Sequence, residues 1–118
     1  MTCTKGTISA TGSGTITGCS DKANTGGSGK IVATLKTKTG VITWNKTGTT
    51  KFKYTYADVK NTACSPKTKG SLEVKETATV TGGTGKAAAS IKKGQVATTT
   101  ICVIGGKVGL APGSKYQI

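Results

Sequence analysis

Histidine and arginine are both missing from this chain, and each absence removes a class of chemistry. Without histidine there is no side chain whose ordinary pKa suits a base near neutral pH, and no imidazole for a metal centre. Without arginine there is no planar fork for two-point contact with phosphate or guanine, so sequence-specific binding of nucleic acid is not expected. Acidic residues are almost missing too: Asp21, Asp58, Glu73 and Glu76 are the whole supply. Glu73 and Glu76 are three apart, which on a strand puts them on opposite faces and argues against a glycosidase-type pair. Calcium would want clustered carboxylates. Asp21 and Asp58 fall in expected loops, where they read as turn residues or partners for lysine. No metal and no cofactor is expected.

Large apolar side chains are scarce as well: one Trp, one Phe, three Tyr, and leucine only at positions 35, 72 and 110. No run approaches the roughly 20 apolar residues of a membrane span, so no transmembrane segment is expected. Met1 leads straight into polar Thr2-Cys3-Thr4-Lys5, which is no signal peptide. An exported chain would be in its mature form.

What is present points to strands. Val, Ile and Thr make up about a third of the chain, and these β-branched side chains suit a pleated sheet better than a helix. Eighteen glycines punctuate the sequence and argue against long helices. With 118 residues, the chain reads as a single domain, 1–118. Disorder is the competing reading of a charged, aromatic-poor sequence, but the apolar residues alternate in register over several segments, which disorder does not require.

The four cysteines, Cys3, Cys19, Cys64 and Cys102, form no C-x-x-C pair and lie far apart, so zinc and redox catalysis do not fit. An even count in a small chain with a thin core reads as two disulfides in an oxidising compartment, hence a secreted protein. A three-residue loop over Ala10, Thr11 and Gly12 puts Gly12 at the left-handed position of a hairpin. It also sets Cys3 opposite Cys19, a reach that a disulfide spans. Elimination then pairs Cys64 with Cys102, with two other connectivities formally open.

Residues 20–29 read as a polar loop, followed by a strand over Lys30–Lys38 with Ile31, Ala33 and Leu35 on one face. Thr39-Gly40 and Thr47-Gly48 are expected turns, giving strands Val41–Lys46 and Thr49–Tyr56. In the latter, Phe52, Tyr54 and Tyr56 alternate with Lys51, Lys53 and Thr55, the strongest period-two pattern in the chain. Ala57–Gly70 reads as a long connection. Alternation resumes at Leu72, Val74, Glu76, Ala78 and Val80, with a turn at Gly82–Gly85 and strands over Ala87–Ile91, Gln95–Ile104 and Lys107–Ala111. Ala87-Ala88-Ala89 could form a helical turn, but flanking glycines and the strand context favour strand. The fold class is therefore all-β, an antiparallel β-sandwich or β-barrel of about seven to nine short strands with two disulfides.

No motif marks a catalytic site. Gly12-Ser13-Gly14 and Gly82-Gly83-Thr84-Gly85-Lys86 lack the phosphate-loop spacing and are read as turns. A Ser–Lys pair has no nucleophile-elbow signature, so the protein is not expected to be an enzyme. Trp44, Lys51, Lys53, Tyr54 and Tyr56 form the candidate binding surface: aromatic rings for stacking, flanked by lysines for phosphates. Equidistance from Gly48 makes Trp44 and Phe52 cross-strand neighbours. The competing reading makes these rings part of the core. Seventeen lysines and a net charge of +13 favour anionic partners through a diffuse, salt-sensitive field, or serve solubility alone.

The segments Gly14-Thr15-Ile16-Thr17-Gly18-Cys19-Ser20, Ile42-Thr43-Trp44-Asn45-Lys46 and Thr79-Val80-Thr81-Gly82-Gly83-Thr84-Gly85 resemble those of small secreted actinobacterial proteins of unknown function. The cysteines fall in a similar order, whereas the lysine richness and the short spacing between the first two cysteines depart from that pattern. The resemblance implies export and a β fold, and it carries no functional residues. The function expected is that of a non-enzymatic secreted binding or structural domain. Its partner would be an anionic surface polymer or a secreted or cell-surface protein, reached through lysines and exposed strand edges. The alternative is a secreted effector, an antimicrobial protein or enzyme inhibitor, with Asn61–Lys69 as the inhibitory loop.

Overall fold

The Thr-, Val- and Ile-rich segments become strands. The computed structural model describes residues 1–9, 11–34, 36–58, 72–104, 107–110 and 115–117. In order along the chain these residues form β1 (Thr2–Ile8), β2 (Ser13–Cys19), α1 (Lys22–Thr25), β3 (Ser28–Thr34), β4 (Thr39–Trp44), β5 (Gly48–Asp58), β6 (Leu72–Gly85), α2 (Ala87–Ser90), β7 (Val96–Ile104), β8 (Lys107–Leu110) and β9 (Tyr116–Gln117). Strands β1 to β8 each pair antiparallel with their neighbours in sequence, and β8 pairs back onto β1. The result is a closed eight-stranded barrel with one extra strand. Of the two expected architectures, the barrel is the one formed.

The extra strand, β9, pairs with β1 and β7, the same two strands that flank β8. It therefore continues β8 farther along the same gap. Closure leaves β1 to β8 paired on both sides, so the exposed edges expected for docking by strand addition are not found among the described residues.

The first hairpin follows the expected register. Cys3 faces Cys19, Lys5 faces Thr17 and Thr7 faces Thr15, with Gly12 in the left-handed region at φ 88°. The two cysteines form a disulfide. Among the described residues it is the one bridge seen, where two were expected. The proposed partner of Cys102, Cys64, lies outside the described residues.

The next two turns depart from expectation. Gly40 and Gly48 are not turn residues but lie in β4 and β5. Trp44 faces Gly48 and Phe52 faces Gly40, four residues away from the expected Trp44–Phe52 pair. The left-handed positions are taken by Lys38 (φ 54°) and Lys46 (φ 61°). The physical reason is space: a side chain at Gly40 would run into the Phe52 ring. Glycine is spent inside the barrel, and lysine, whose charge sits in water, takes the turn.

The same device recurs at Gly29, where an added Cβ would lie 2.8 Å from Ile42 and 3.0 Å from Trp44, and at Gly6, where it would meet the Tyr116 ring. Three inward glycines thus seat three large rings, so small and large side chains interdigitate across the lumen.

Gly82–Gly85 is likewise strand, not turn: Gly83 faces Thr50 and Gly82 faces Lys51, beside a bulge at Lys51/Phe52. The expected strand over Ala87–Ile91 is instead α2, and the loop 20–29 contains α1. Asp21 caps α1 by accepting the Asn24 N–H at 3.4 Å, and Gly26 ends it in the left-handed conformation. Both helices lie on connections at the same end of the barrel (β2 to β3, and β6 to β7). Thr47 O accepts the Ala87 N–H at 3.0 Å, and the hydroxyl of Ser90 beside Asp21 lowers that carboxyl's pKa. Ala87, Ile91, Trp44, Ile16, Ile31, Ile42, Val80 and the disulfide make one buried cluster that fills this end.

Candidate functional site

Alternation along β5 and β6 decides what lines the other half of the lumen. Across the pair, Phe52 faces Val80, Tyr54 faces Ala78 and Tyr56 faces Glu76. On the next strand Ala97 faces Ala78 and Thr99 faces Glu76. Beside Tyr54 stand only the alanines of β6 and β7, Ala78 and Ala97, and the lumen is not filled. A cavity of about 100 Å³ remains, lined by Ile16, Ile31, Ala33, Phe52, Ala78 and Ala97 among others, and extending to Ser9 and Gly12 at the β1–β2 turn. Eight strands enclose an interior that side chains can just fill or that can hold one small ligand.

Glu76 is the one acidic residue among those lining the cavity. Half-buried, its carboxyl receives no hydrogen bond or ion pair from any described residue, and burial pushes its pKa up to about 7. Tyrosines surround it. Tyr56 stands at the rim, 42 % exposed, with Tyr54 behind it at a ring-centroid distance of 5.2 Å and Phe52 a further 6.0 Å along. Tyr116 on β9 closes the far side and is half-buried. The Tyr56 hydroxyl is pushed above the usual phenol range by burial, then by its hydrogen-bonded neighbour Tyr54 and, after these, by the Glu76 charge; that of Tyr116 is pushed up by burial and the Glu76 charge. Tyr54, 4 % exposed, donates to Thr34 O at 3.4 Å.

The five residues of the candidate binding surface are not brought together. Trp44 is 2 % exposed, its indole N–H donating to Thr50 Oγ1 at 2.7 Å. Tyr54 and Tyr56 line the lumen, whereas Lys51 and Lys53 point outward from the same strand. Strand alternation separates rings from charges, so no stacking platform flanked by lysines forms. The inhibitory loop proposed at Asn61–Lys69 lies outside the described residues.

Every lysine whose side chain is described is exposed. In the strand register none faces another lysine: Lys30 faces Thr43, Lys53 faces Thr39 and Thr79, and Lys75 faces Thr100. Spacing by threonine avoids like-charge repulsion and spreads the charge around the barrel. Lysines at mid-strand on the outer wall are also the reverse of the apolar band that a lipid-facing barrel presents.

No family model, no curated protein and no solved structure matches the chain.

Glu76 and Tyr116 are the lumen residues that sequence reading did not single out as a site. Glu76 had a signal: it is the charged member of the alternating set Leu72, Val74, Glu76, Ala78, Val80. Tyr116 had none, since β9 is two residues long.

Proposed function

We propose that this protein is a non-enzymatic, exported binding module that holds a small, mostly apolar molecule in its barrel lumen, at the end opposite the two helices. The observation that carries this reading is the unfilled cavity. A void of about 100 Å³ forgoes roughly 2 kcal/mol of packing, in a chain with few apolar side chains to spare. Leucine at Ala78 or Ala97 would recover much of it. The size suits a molecule of about half a dozen heavy atoms, since one water needs roughly 10–15 Å³ on this measure. Export is supported by the Cys3–Cys19 bridge and is in keeping with the resemblance to secreted actinobacterial proteins. A second bridge, Cys64–Cys102, belongs to the same proposal.

The test is calorimetric titration with n-butanol of the native protein and of Ala78→Phe, whose ring occupies the cavity. Saturable binding that the substitution abolishes is the expected result. Equal heats from both proteins would reject the lumen as the site.

A second reading, favoured by the exposed and evenly spaced lysines, gives the outer wall a role in retention on an anionic surface polymer. Such attraction is diffuse and fades at moderate salt. Stronger retention on an anionic matrix than an unrelated protein of matched charge is expected. Equal retention would reduce it to net charge alone.

A further inference from the structure

We infer that the lumen's ligand is a small organic ammonium ion, its charge held by the Glu76 carboxylate and its carbon chain by the rings of Phe52, Tyr54, Tyr56 and Tyr116. The inference rests on the lumen reading above and adds the chemical class.

Its first support is the state of Glu76. A carboxylate taken part-way out of water needs compensation from hydrogen bonds or an opposite charge, and none of the described residues supplies either. Among the described residues, the groups facing it are Tyr56 across β5, Thr99 across β7 and Tyr116 from β9, and none of these is cationic. An ammonium group supplies both the charge and the hydrogen-bond donors. A neutral ligand would leave the carboxylate unpaired, and an anionic one would repel it.

The second support is the wall. Aromatic rings present negative faces that attract a cation within about 6 Å. Phe52, Tyr54 and Tyr56 follow one another down a single face of β5, and Tyr116 stands across the lumen. Four of the chain's five aromatic residues therefore line the same cavity as Glu76, the one acid among its described lining residues.

The net charge of +13 opposes entry of a cation, but every lysine whose side chain is described is exposed. Salt screens that charge over about 8 Å, and burial is what raises the pKa of Glu76. At the carboxylate the local acid outweighs the distant field.

The test compares n-butylammonium, n-butanol and butyrate, three probes of one size and different charge, by calorimetry at pH 8. With native protein the ammonium should bind at least tenfold tighter than the alcohol, and butyrate weakest of the three. Glu76→Gln should erase the preference for ammonium, bringing its affinity to within about twofold of the alcohol's for the same variant. At pH 5, where Glu76 is protonated, native protein should behave like the variant. Equal affinity for ammonium and alcohol, or a preference that survives Glu76→Gln, would overturn the ammonium assignment and leave the lumen reading standing. Failure of all three probes to bind would overturn both.

Discussion

Replacing Glu76 by glutamine should stabilise the ligand-free protein above neutral pH and change little below pH 4.5. Burial raises the carboxyl from an ordinary 4.5 to about 7, so between these values the folded chain holds a proton that the unfolded chain releases. The stability tied to that proton is fully present below pH 4.5 and is lost as pH rises through 7. At about 1.4 kcal/mol per tenfold change in proton affinity the loss is roughly 3 kcal/mol. Water reaching the half-buried group at the rim lowers it to about 2 kcal/mol. Glutamine keeps the shape and carries no charge, so it escapes the loss. Urea unfolding of both proteins from pH 4 to pH 8.5 measures the difference. With a slope of about 1.5 kcal/mol per molar urea for a domain of this size, the variant's midpoint should exceed the native one by roughly 1 M at pH 8 and coincide with it at pH 4. A difference that does not vary with pH, or a variant less stable than native at pH 8, would refute the account of Glu76 as an unpaired lumenal acid.

Changes at three further places test how the lumen is packed and held. Thr50→Val leaves the buried Trp44 indole N–H without its acceptor and should cost about 1–3 kcal/mol, read by urea unfolding followed through tryptophan fluorescence. Thr50→Ser, which keeps the hydroxyl, should cost clearly less. Gly40→Ala drives a methyl into the Phe52 ring and should cost about 1–3 kcal/mol. Phe52→Leu in the same chain should reduce that cost, giving a coupling that a double-mutant cycle detects. Removing the Cys3–Cys19 bridge, which closes a loop of sequence separation 16, should cost about 3 kcal/mol. A peptide map without reductant should recover Cys3 with Cys19 and Cys64 with Cys102.

The parts of this fold that could be read in advance are those decided locally. The β1–β2 register followed from symmetry about Thr11, and the inward set on β5 and β6 followed from alternation. The β4–β5 register did not, because Thr47-Gly48 carries the local signal of a turn. Packing overrides that signal by placing Gly48 opposite Trp44 and Gly40 beneath Phe52, with Lys38 and Lys46 in the strained turn positions. Ala87–Ile91 reads as strand from its neighbours, with a helical turn the less favoured alternative, yet Ala87–Ser90 is helix: the end of the barrel takes a short plug, and alanine adopts a helix readily. Barrel closure rests on Thr7 and Ile8 pairing with Gly109 and Val108, about a hundred residues away, and nothing local announces it. The same distance hid the site, since Tyr116 meets Glu76 through that closure. The rings on β5 read from sequence as a core face or a platform; Tyr54 is core and Phe52 packs against the core cluster, and together with Tyr56 they also wall a cavity, which alternation alone does not announce.

The central claim is that the lumen, and not the outer wall, is the binding surface. Methyl-resolved NMR during titration with n-butylammonium tests it most directly. The account predicts that the methyls of Ile16, Ile31, Ala33, Ala78 and Ala97, which line the cavity, shift together and saturate at one affinity, while the exposed methyls of Val32 and Val96 stay in place. Shifts confined to Val32, Val96 and other outward methyls, with the lumenal set unmoved at saturation, would contradict it.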